Sequence, residues 1–268
     1  VEVQGETISV ERSFHYAAAA LWLLLRLGGV GARVRRGGGI LRSTEQPTGW
    51  PESVPSPVSR AATPDQLAAE LAAGLNAIRR SVPWQTSAPA TVSSFDVLHP
   101  GACQVFVADR TFPTWWEALD WAGRLLQEFR RSHVGDASAI AQLLTKGRMT
   151  VRRIQRAVLG LPLVFFFKSM FEELTAKGVP DSDARRKASA TIVPQHGLGR
   201  ASPLIVRVAP LAGEPQQYAV TMLLFRSRFL PDRQMSVRPQ DRSVRPVWVD
   251  APENHALIDN WFDFVREE

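Results

Sequence analysis

The amino-acid sequence predicts an α+β protein with antiparallel strands, divided into two domains. Its 268 residues, 45% of them hydrophobic, can bury a sizeable core, and the length favours two domains over one. Apolar residues recur at helical spacing from Pro113 to Arg131 and from Glu253 to Glu268. Two strand-like segments, Arg200 to Leu211 and Gln217 to Leu230, flank the turn sequence "AGEPQ" and predict an antiparallel pair.

The N-terminal part predicts a strand, a helix, a glycine-rich loop and a second strand, in that order. Apolar and polar residues alternate from Val1 to Glu11, which indicates one strand, with Gly5 as the candidate position for a bend. Ser13 is a suitable N-cap for a helix that runs to about Leu27. The glycine-rich loop then leads into a short strand from Gly39 to Ser43.

Two proline-rich segments separate the predicted domains. Five prolines and several serines from Thr44 to Pro64 indicate a linker or a mobile insertion. Pro64 can begin a helix that reaches Arg80, and a second segment rich in Pro, Ser and Thr runs from Ser81 to Ser94. We therefore place the N-terminal domain at residues 1–90 and the C-terminal domain at 91–268.

The C-terminal part predicts strands and two amphipathic helices. The segment from Phe95 to Ala108 is strand-like, with a turn at Pro100 and Gly101, and "VLGLPLVFFF" is a buried strand or a loop followed by one. The tryptophans of the first helix are interpreted as core, with a base-stacking platform as the alternative. The apolar face of the first helix consists of Trp115, Leu119, Ala122 and Leu126. That of the C-terminal helix consists of Leu257, Trp261, Phe262 and Val265.

The charge pattern favours a polyanionic partner. The net charge is +6, the pI is about 10.2, and only four of the 32 basic residues are lysines. Arginine presents a planar fork of donors that suits phosphate, although high genomic GC content also enriches it. The positive charge lies in three blocks, Arg26 to Arg42, Lys146 to Lys168, and Arg226 to Arg245. The alternative interpretation is that these blocks are ordinary solvated faces.

Several classes of site are excluded or disfavoured. The single cysteine, Cys103, cannot form an internal disulfide or a Cys-based zinc cluster, which fits a reducing cytoplasm. The apolar run from Tyr16 to Leu25 is too short to span a bilayer. Asp181 and Asp183 lie in a charged segment and are interpreted as solvated. We therefore expect a cytoplasmic protein with no metal, no cofactor, no membrane contact and no small-molecule substrate.

The loop "LGGVGARVRRGGGI" combines glycines and arginines without any carboxylate. Glycines let a phosphate approach the backbone closely, and arginines neutralise it. A P-loop requires a lysine followed by Ser or Thr, but Ile40 and Leu41 follow the last glycine. A dinucleotide fingerprint follows a strand and precedes a helix, whereas here that order is reversed. A purely structural loop between helix and strand remains the alternative.

The sequence "LWLLLRLGGVGARVRRGGGILR" resembles the signature of the repeat-associated mysterious proteins, the RAMP superfamily of CRISPR systems. Its GGxGxRxRRGxG form is similar to the subunit family numbered one of type III-B (Cmr) effector complexes. The stretches "LGLPLVFFF", "GRASPLIVRV" and "YAVTMLLFRSRFLP" resemble the C-terminal half of that family, in the same order. The resemblance covers most of the chain outside the inserts. The family's opening strand and helix are expected to precede Val1, so the first domain is expected to be incomplete at its N terminus.

The resemblance implies two ferredoxin-like domains of the RRM type and a non-catalytic role in a crRNA-guided antiviral complex. Such a subunit contacts crRNA near its three-prime end, assists capture of target RNA, and sits beside another RAMP subunit. The obvious RNP aromatic pattern is missing, so the sequence favours contacts to the RNA backbone. The predicted RNA-binding residues are Gly28, Gly29, Gly31, Arg33, Arg35, Arg36, Gly37 and Gly39, with Arg152, Arg153 and Arg200 from later basic segments.

Two other functions stay open. A RAMP-type endoribonuclease that processes precursor crRNA without metal would need a general base beside a cation, for which His15 with Arg33 or Arg35, or His196, are the candidates. A capping, packing or RNA-contacting histidine is the commoner role, so no catalytic residue is assigned. A protein-docking module, whose basic blocks meet acidic partner subunits, is the second alternative.

Overall fold

The computed structural model describes most of the chain. The described residues are 2–3, 6–7, 9–31, 33–81, 98–132, 134–195, 199–228, 230, 234–252 and 256–267. The predicted strand at the start of the Phe95 segment, and His196, lie outside them.

The chain divides into two compact units. Unit 1 comprises Val1–Ala90, Gln104–Arg124 and Leu204–Leu223, and unit 2 comprises Thr91–Cys103, Leu125–Pro203 and Leu224–Glu268. These units group residues that lie far apart in sequence. The division into continuous domains at 1–90 and 91–268 stays a prediction.

The predicted α+β class with antiparallel strands is confirmed. Antiparallel pairing joins β4 (Leu163–Phe166) to β5 (Ser189–Pro194), β5 to β8 (Gln234–Pro239), and β8 to β9 (Val247–Asp250). The other described elements are β1 (Glu2–Val3), β2 (Glu6–Thr7), α1 (Val10–Arg26), α2 (Pro64–Ser81), β3 (Cys103–Phe112), α3 (Trp115–Ser132), α4 (Val134–Lys146), a 3₁₀ helix (Gln155–Leu159), α5 (Lys168–Ala176), α6 (Asp181–Lys187), β6 (Leu204–Pro210), β7 (Tyr218–Phe225) and α7 (Ala256–Glu267).

Unit 1 is built on a three-stranded sheet in the order β3-β7-β6. The central strand β7 is buried over nearly its whole length, as expected for a strand with neighbours on both edges. The predicted β6–β7 pair is confirmed, and the Leu211 amide donates to the Gln217 carbonyl at 2.8 Å where the turn begins. The second strand ends at Phe225, earlier than the predicted Leu230.

The N-terminal prediction is wrong in three places. Instead of one strand, β1 and β2 form a short antiparallel pair in which Glu2 lies opposite Thr7. The N-cap of α1 is Ser9 rather than Ser13, because the Ser9 hydroxyl accepts from the Arg12 amide at 3.2 Å. The predicted strand from Gly39 to Ser43 is also absent from the described residues, where an isolated bridge at Arg36 occurs instead.

The proline-rich segment from Thr44 to Pro64 packs against the helices of unit 1, so its prediction as a linker or mobile insertion is wrong. Pro51, Val54 and Pro57 are buried. The Trp22 indole N–H donates to the Ser56 carbonyl at 3.0 Å, which joins the segment to α1. The predicted helix that begins at Pro64 is confirmed as α2.

Helix α3 confirms the predicted helix but corrects its apolar face. The row Ala118, Ala122, Leu125 and Phe129 is buried. Trp115, which the spacing assigns to the core, is 58% exposed, because it is the first residue of the helix and projects beyond the buried row. Its neighbour Trp116 is 55% exposed.

Unit 2 contains the four-stranded sheet β4-β5-β8-β9. One face of the sheet carries the buried residues Phe165, Ile192, Val237 and Val249. The predicted apolar face of the C-terminal helix is confirmed at Trp261, Phe262 and Val265, which are all buried, while the Leu257 side chain lies outside the described residues. Among the described helices, none has the length and apolarity to cross a membrane.

Candidate nucleic-acid interface

The C-terminal end of α1 leads directly into the glycine-rich loop. Beyond Arg26 the helix is closed by three backbone bonds. The Leu27 amide donates to the Leu23 carbonyl at 2.8 Å, and the Gly28 amide donates to the carbonyls of Leu23 at 2.9 Å and Leu24 at 3.1 Å. These bonds satisfy carbonyls that would otherwise lack partners at a helix end. The loop therefore leaves the helix in a fixed direction.

The loop closes on itself. The Val30 amide donates to the Gly39 carbonyl at 2.8 Å, which joins the two ends of the loop. Within it, the amides of Arg36 and Gly38 both donate to the Arg33 carbonyl, at 2.9 and 3.1 Å. We call the segment from Arg33 to Gly38 the arginine turn. These bonds connect the backbone within the turn and across its two ends.

The arginine turn is attached to the rest of unit 1 at two points. Arg36 forms an isolated parallel bridge with Val206 of β6, whose amide donates to the Arg35 carbonyl at 3.2 Å. Gly37 lies against α3, where an added Cβ would come within 2.4 Å of Leu119 Cδ1. The turn is therefore held between the edge of the sheet and a helix.

Two of the three arginines in the turn face solvent. Arg33 and Arg36 are exposed, and Arg35 is half-buried. Between Arg26 and Arg42 the sequence has no carboxylate that could neutralise them. Arg33 and Arg36 are therefore accessible to an external anion, and they lie on a turn held by backbone hydrogen bonds.

Most of the predicted loop glycines have a structural reason. A Cβ on Gly39, which has φ +67°, would lie 1.7 Å from the Val30 carbonyl oxygen. A Cβ on Gly29 would lie 2.5 Å from Val34 Cγ2, and one on Gly28 would lie 3.1 Å from Leu24 Cα. Only at Gly31 would a Cβ meet nothing within 4 Å. The space beside these glycines is thus mostly filled by the chain itself, and Gly31 is the open position.

Arg207 holds both ends of the loop, and sequence reasoning missed it. It lies in β6, is 4% exposed, and donates through Nη2 to the Leu25 carbonyl at 2.8 Å and the Leu41 carbonyl at 3.5 Å. Burial and the nearby charge of Arg26 lower the pKa of Arg207 to about 10, so it stays protonated at neutral pH. The available signal was a lone arginine within the apolar strand "LIVRVAP".

Arg26, the last residue of α1, forms an ion pair with α2. Its Nη2 lies 2.9 Å from Glu70 Oε2, and that carboxylate also accepts from the Ser59 hydroxyl at 2.7 Å and the Arg60 amide at 2.9 Å. Burial acts to raise the pKa of Glu70, but these hydrogen bonds and the Arg26 charge outweigh it, and the pKa lies below its ordinary value of 4.5. Glu70 thus connects α1, α2 and the proline-rich segment.

We expect acid to weaken this connection. As the pH falls below 4.5, the unfolded chain takes up the Glu70 proton first, so the stabilisation present above 4.5 is lost as the pH falls through the lower folded-state pKa. Glu70→Gln should therefore reduce the dependence of the urea-unfolding midpoint on pH between about 6 and 3. Glu45→Gln, an exposed carboxylate of the same unit, is the matched control. Equal pH dependence in wild type and Glu70→Gln would contradict this expectation.

The remaining predicted RNA-binding residues belong to unit 2. Arg152 and Arg153 are exposed, and the Arg152 carbonyl accepts from the Asp250 amide at 2.7 Å. The Arg200 guanidinium donates to the Ser227 hydroxyl at 2.5 Å and to the Ala201 carbonyl at 3.2 Å. Arg200 thus has a local structural role, whereas the side chains of Arg152 and Arg153 reach solvent.

The candidate catalytic histidine His15 contacts its own helix. Its Nδ1 lies 2.8 Å from the Glu11 carbonyl oxygen. Eleven residues separate it from Arg26, which corresponds to about 16 Å along the helix axis. The other candidate, His196, lies outside the described residues. Among the side chains that the structure describes, no group of three or more His, Cys, Asp or Glu residues could hold a metal ion.

Comparisons of this chain with protein families, with curated proteins and with solved structures found no match.

Proposed function

We propose that this chain is a non-catalytic RNA-binding subunit of a CRISPR RNA-guided complex, and that its arginine turn contacts crRNA or the duplex of crRNA with target RNA. The observation that carries the proposal is the ordered turn that presents Arg33 and Arg36 to solvent in an acid-free segment. Guanidinium groups pair with phosphate oxygens through two parallel donors. Contacts of this kind read no sequence, so base pairing within the complex supplies specificity.

Preorganisation supports the proposal. The bond between Val30 and Gly39, the bridge between Arg36 and Val206, and the contact of Gly37 with Leu119 fix the backbone of the turn. A ligand that binds a fixed turn loses less free energy in ordering it than a ligand that binds a flexible loop. The turn is thus suited to recognising a charged backbone of regular geometry.

The CRISPR assignment comes from the resemblance of the glycine-arginine segment and the later strand segments to the RAMP superfamily. The finer fold, two ferredoxin-like domains, belongs to this proposal. In unit 1 the bridge between Arg36 and Val206 adds to the β6 edge of a three-stranded sheet, which is where a fourth strand would pair. Other RAMP subunits are the proposed protein partners, and the cytoplasm is the proposed compartment. Arg152 and Arg153 are proposed as further RNA contacts.

Reversing the charge of the turn should weaken RNA binding. In the variant R33E/R35E/R36E, we expect lower affinity for crRNA and a flatter dependence of log affinity on log salt concentration, by about one unit of slope per lost phosphate contact. Fluorescence anisotropy of labelled RNA at four KCl concentrations measures both quantities. The matched control R60E/R79E/R80E makes the same charge change elsewhere in unit 1 and should alter the slope less.

Three outcomes contradict the proposal. Unchanged affinity and slope in the folded triple variant would remove the turn from the RNA interface. Site-specific cleavage of repeat RNA in EDTA, lost on His15→Ala, would instead indicate the endoribonuclease. Weak RNA binding by the wild type at every salt concentration would indicate a protein-docking module.

A further inference from the structure

Two adjacent tryptophans at the start of α3 are exposed to solvent. Trp115 is 58% exposed and Trp116 is 55% exposed. A single exposed apolar residue is common, but two neighbouring tryptophans form an apolar surface that a soluble unit gains nothing from exposing. Such a surface indicates a contact with something outside the chain.

The buried side chains of α3 do not include these two tryptophans. The buried row of α3 begins at Ala118, which is fully buried, and continues through Ala122. Trp115 lies one turn before Ala118, so the indole projects past the end of the buried row. Trp116 lies on a different row of the helix, one turn before the exposed Asp120, which pairs with Arg124.

Both tryptophans lie within one helical turn of the α3 residue that meets the arginine turn. Gly37 contacts α3 at Leu119, where its Cβ would approach Leu119 Cδ1 to 2.4 Å. Leu119 is three residues after Trp116 and four after Trp115, and residues at these spacings are neighbours on a helix surface. Four residues correspond to about 6 Å along the helix axis. The exposed indole pair is therefore neighboured on α3 by the residue that contacts Gly37, and Gly37 follows Arg36 directly in the arginine turn.

We propose that Trp115 and Trp116 form a base-stacking platform for single-stranded RNA whose phosphates contact the arginine turn. An occupant that complements both features must be a polyanion and must also present exposed aromatic faces. Single-stranded RNA has both properties, whereas paired bases hide their faces in the helical stack. An acidic protein segment would match the arginines but leave the indoles without a specific partner.

This inference rests on the proposed RNA-binding function and makes it more specific. The arginine turn alone recognises the negative charge of the RNA backbone, which single strands and duplexes share. The tryptophans add a preference for unpaired nucleotides next to the contacted backbone. In a guide-dependent complex, that preference favours an unpaired end or a splayed nucleotide of the crRNA.

The experiment compares a labelled 12-nucleotide oligouridine with a 12-base-pair RNA duplex, both bound to the full chain. In W115A/W116A we expect affinity for the single strand to fall by about tenfold or more, with duplex affinity within about twofold of wild type and an unchanged salt slope. W115F/W116F, which keeps aromatic faces, should retain most of the single-strand affinity. Trp248→Ala, at a tryptophan of unit 2 that is 55% exposed, is the matched control.

The outcomes separate this inference from the function on which it rests. Unchanged single-strand affinity in W115A/W116A, with a loss in R33E/R35E/R36E, would overturn the platform, leave the RNA-binding proposal standing, and indicate a protein contact at the tryptophans. Wild-type protein that binds neither RNA would overturn both. An equal loss in Trp248→Ala would also overturn the platform. Photocrosslinking of wild-type protein to 5-iodouridine RNA requires no variant, and adducts must map to Trp115 or Trp116.

Discussion

Trp22→Ala is expected to lower the free energy of unfolding of unit 1 by about 3–5 kcal/mol. The indole is 1% exposed and lies against α2 so closely that a Cβ added at Gly74 would come within 2.2 Å of Cζ2. Its N–H also donates to the Ser56 carbonyl at 3.0 Å. Truncation leaves a cavity between α1 and α2 and an unpaired carbonyl in the proline-rich segment. Hydrogen exchange of the α1 and α2 amides measures the loss.

A double-mutant cycle tests the contact itself. Gly74→Ala should destabilise the wild-type protein, because its methyl group overlaps the indole, yet should be tolerated in Trp22→Ala, whose cavity can hold that methyl. Trp22→Phe keeps a ring but loses the hydrogen bond to Ser56, which costs about 1 kcal/mol. Additive effects of Gly74→Ala and Trp22→Ala would show that the two residues are not in contact.

Local sequence patterns predicted the helices better than the loops. The amphipathic spacing and Pro64 located α2 and α3 correctly, because helix periodicity and helix-start residues are local properties. The prediction of Ser13 as the N-cap of α1 is wrong because the strand predicted before it is too long. Once the chain turns back between β1 and β2, Ser9 is available as the cap.

The proline-rich segment shows what composition misses. Its prolines and serines are typical of linkers, but Trp22 and Glu70 bind it from α1 and α2, with partners up to 34 residues away in sequence. Contacts of that range depend on the tertiary arrangement of two helices. No local pattern encodes them, so the segment could not be distinguished from a linker.

The candidate site was predicted in part. An acid-free run of glycines and arginines after a helix was visible in the sequence, and the structure places it as an ordered turn. The exposure of Trp115 could not be predicted, because its spacing matches the buried row and only the start of the helix excludes it from the core. Arg207 is contributed by a strand about 170 residues later, so its role depends on tertiary structure.

Gly39→Ala is expected to open the arginine turn. The added methyl group would lie 1.7 Å from the Val30 carbonyl oxygen, a separation that no non-bonded pair tolerates, and the residue has φ +67°. The left-handed backbone alone costs about 1–2 kcal/mol in a residue with a Cβ. This clash is relieved only if the two ends of the loop separate, which breaks the hydrogen bond from the Val30 amide to the Gly39 carbonyl. We expect faster hydrogen exchange of the Val30 amide with α2 exchange unchanged and, under the proposed function, weaker RNA binding.

Two glycine variants separate the steric effect from the backbone effect. Gly31→Ala has φ +102° but an open Cβ position, so it should incur only backbone strain and leave the Val30 amide protected. Gly123→Ala, within α3 and also open, should be neutral or stabilising by up to about 1 kcal/mol, since alanine favours a helix. If Gly39→Ala and Gly31→Ala weaken RNA binding equally, the close approach to Val30 is not what orders the turn. A larger effect at Gly39 means that RNA affinity depends on a closed loop that carries the arginines on a fixed backbone.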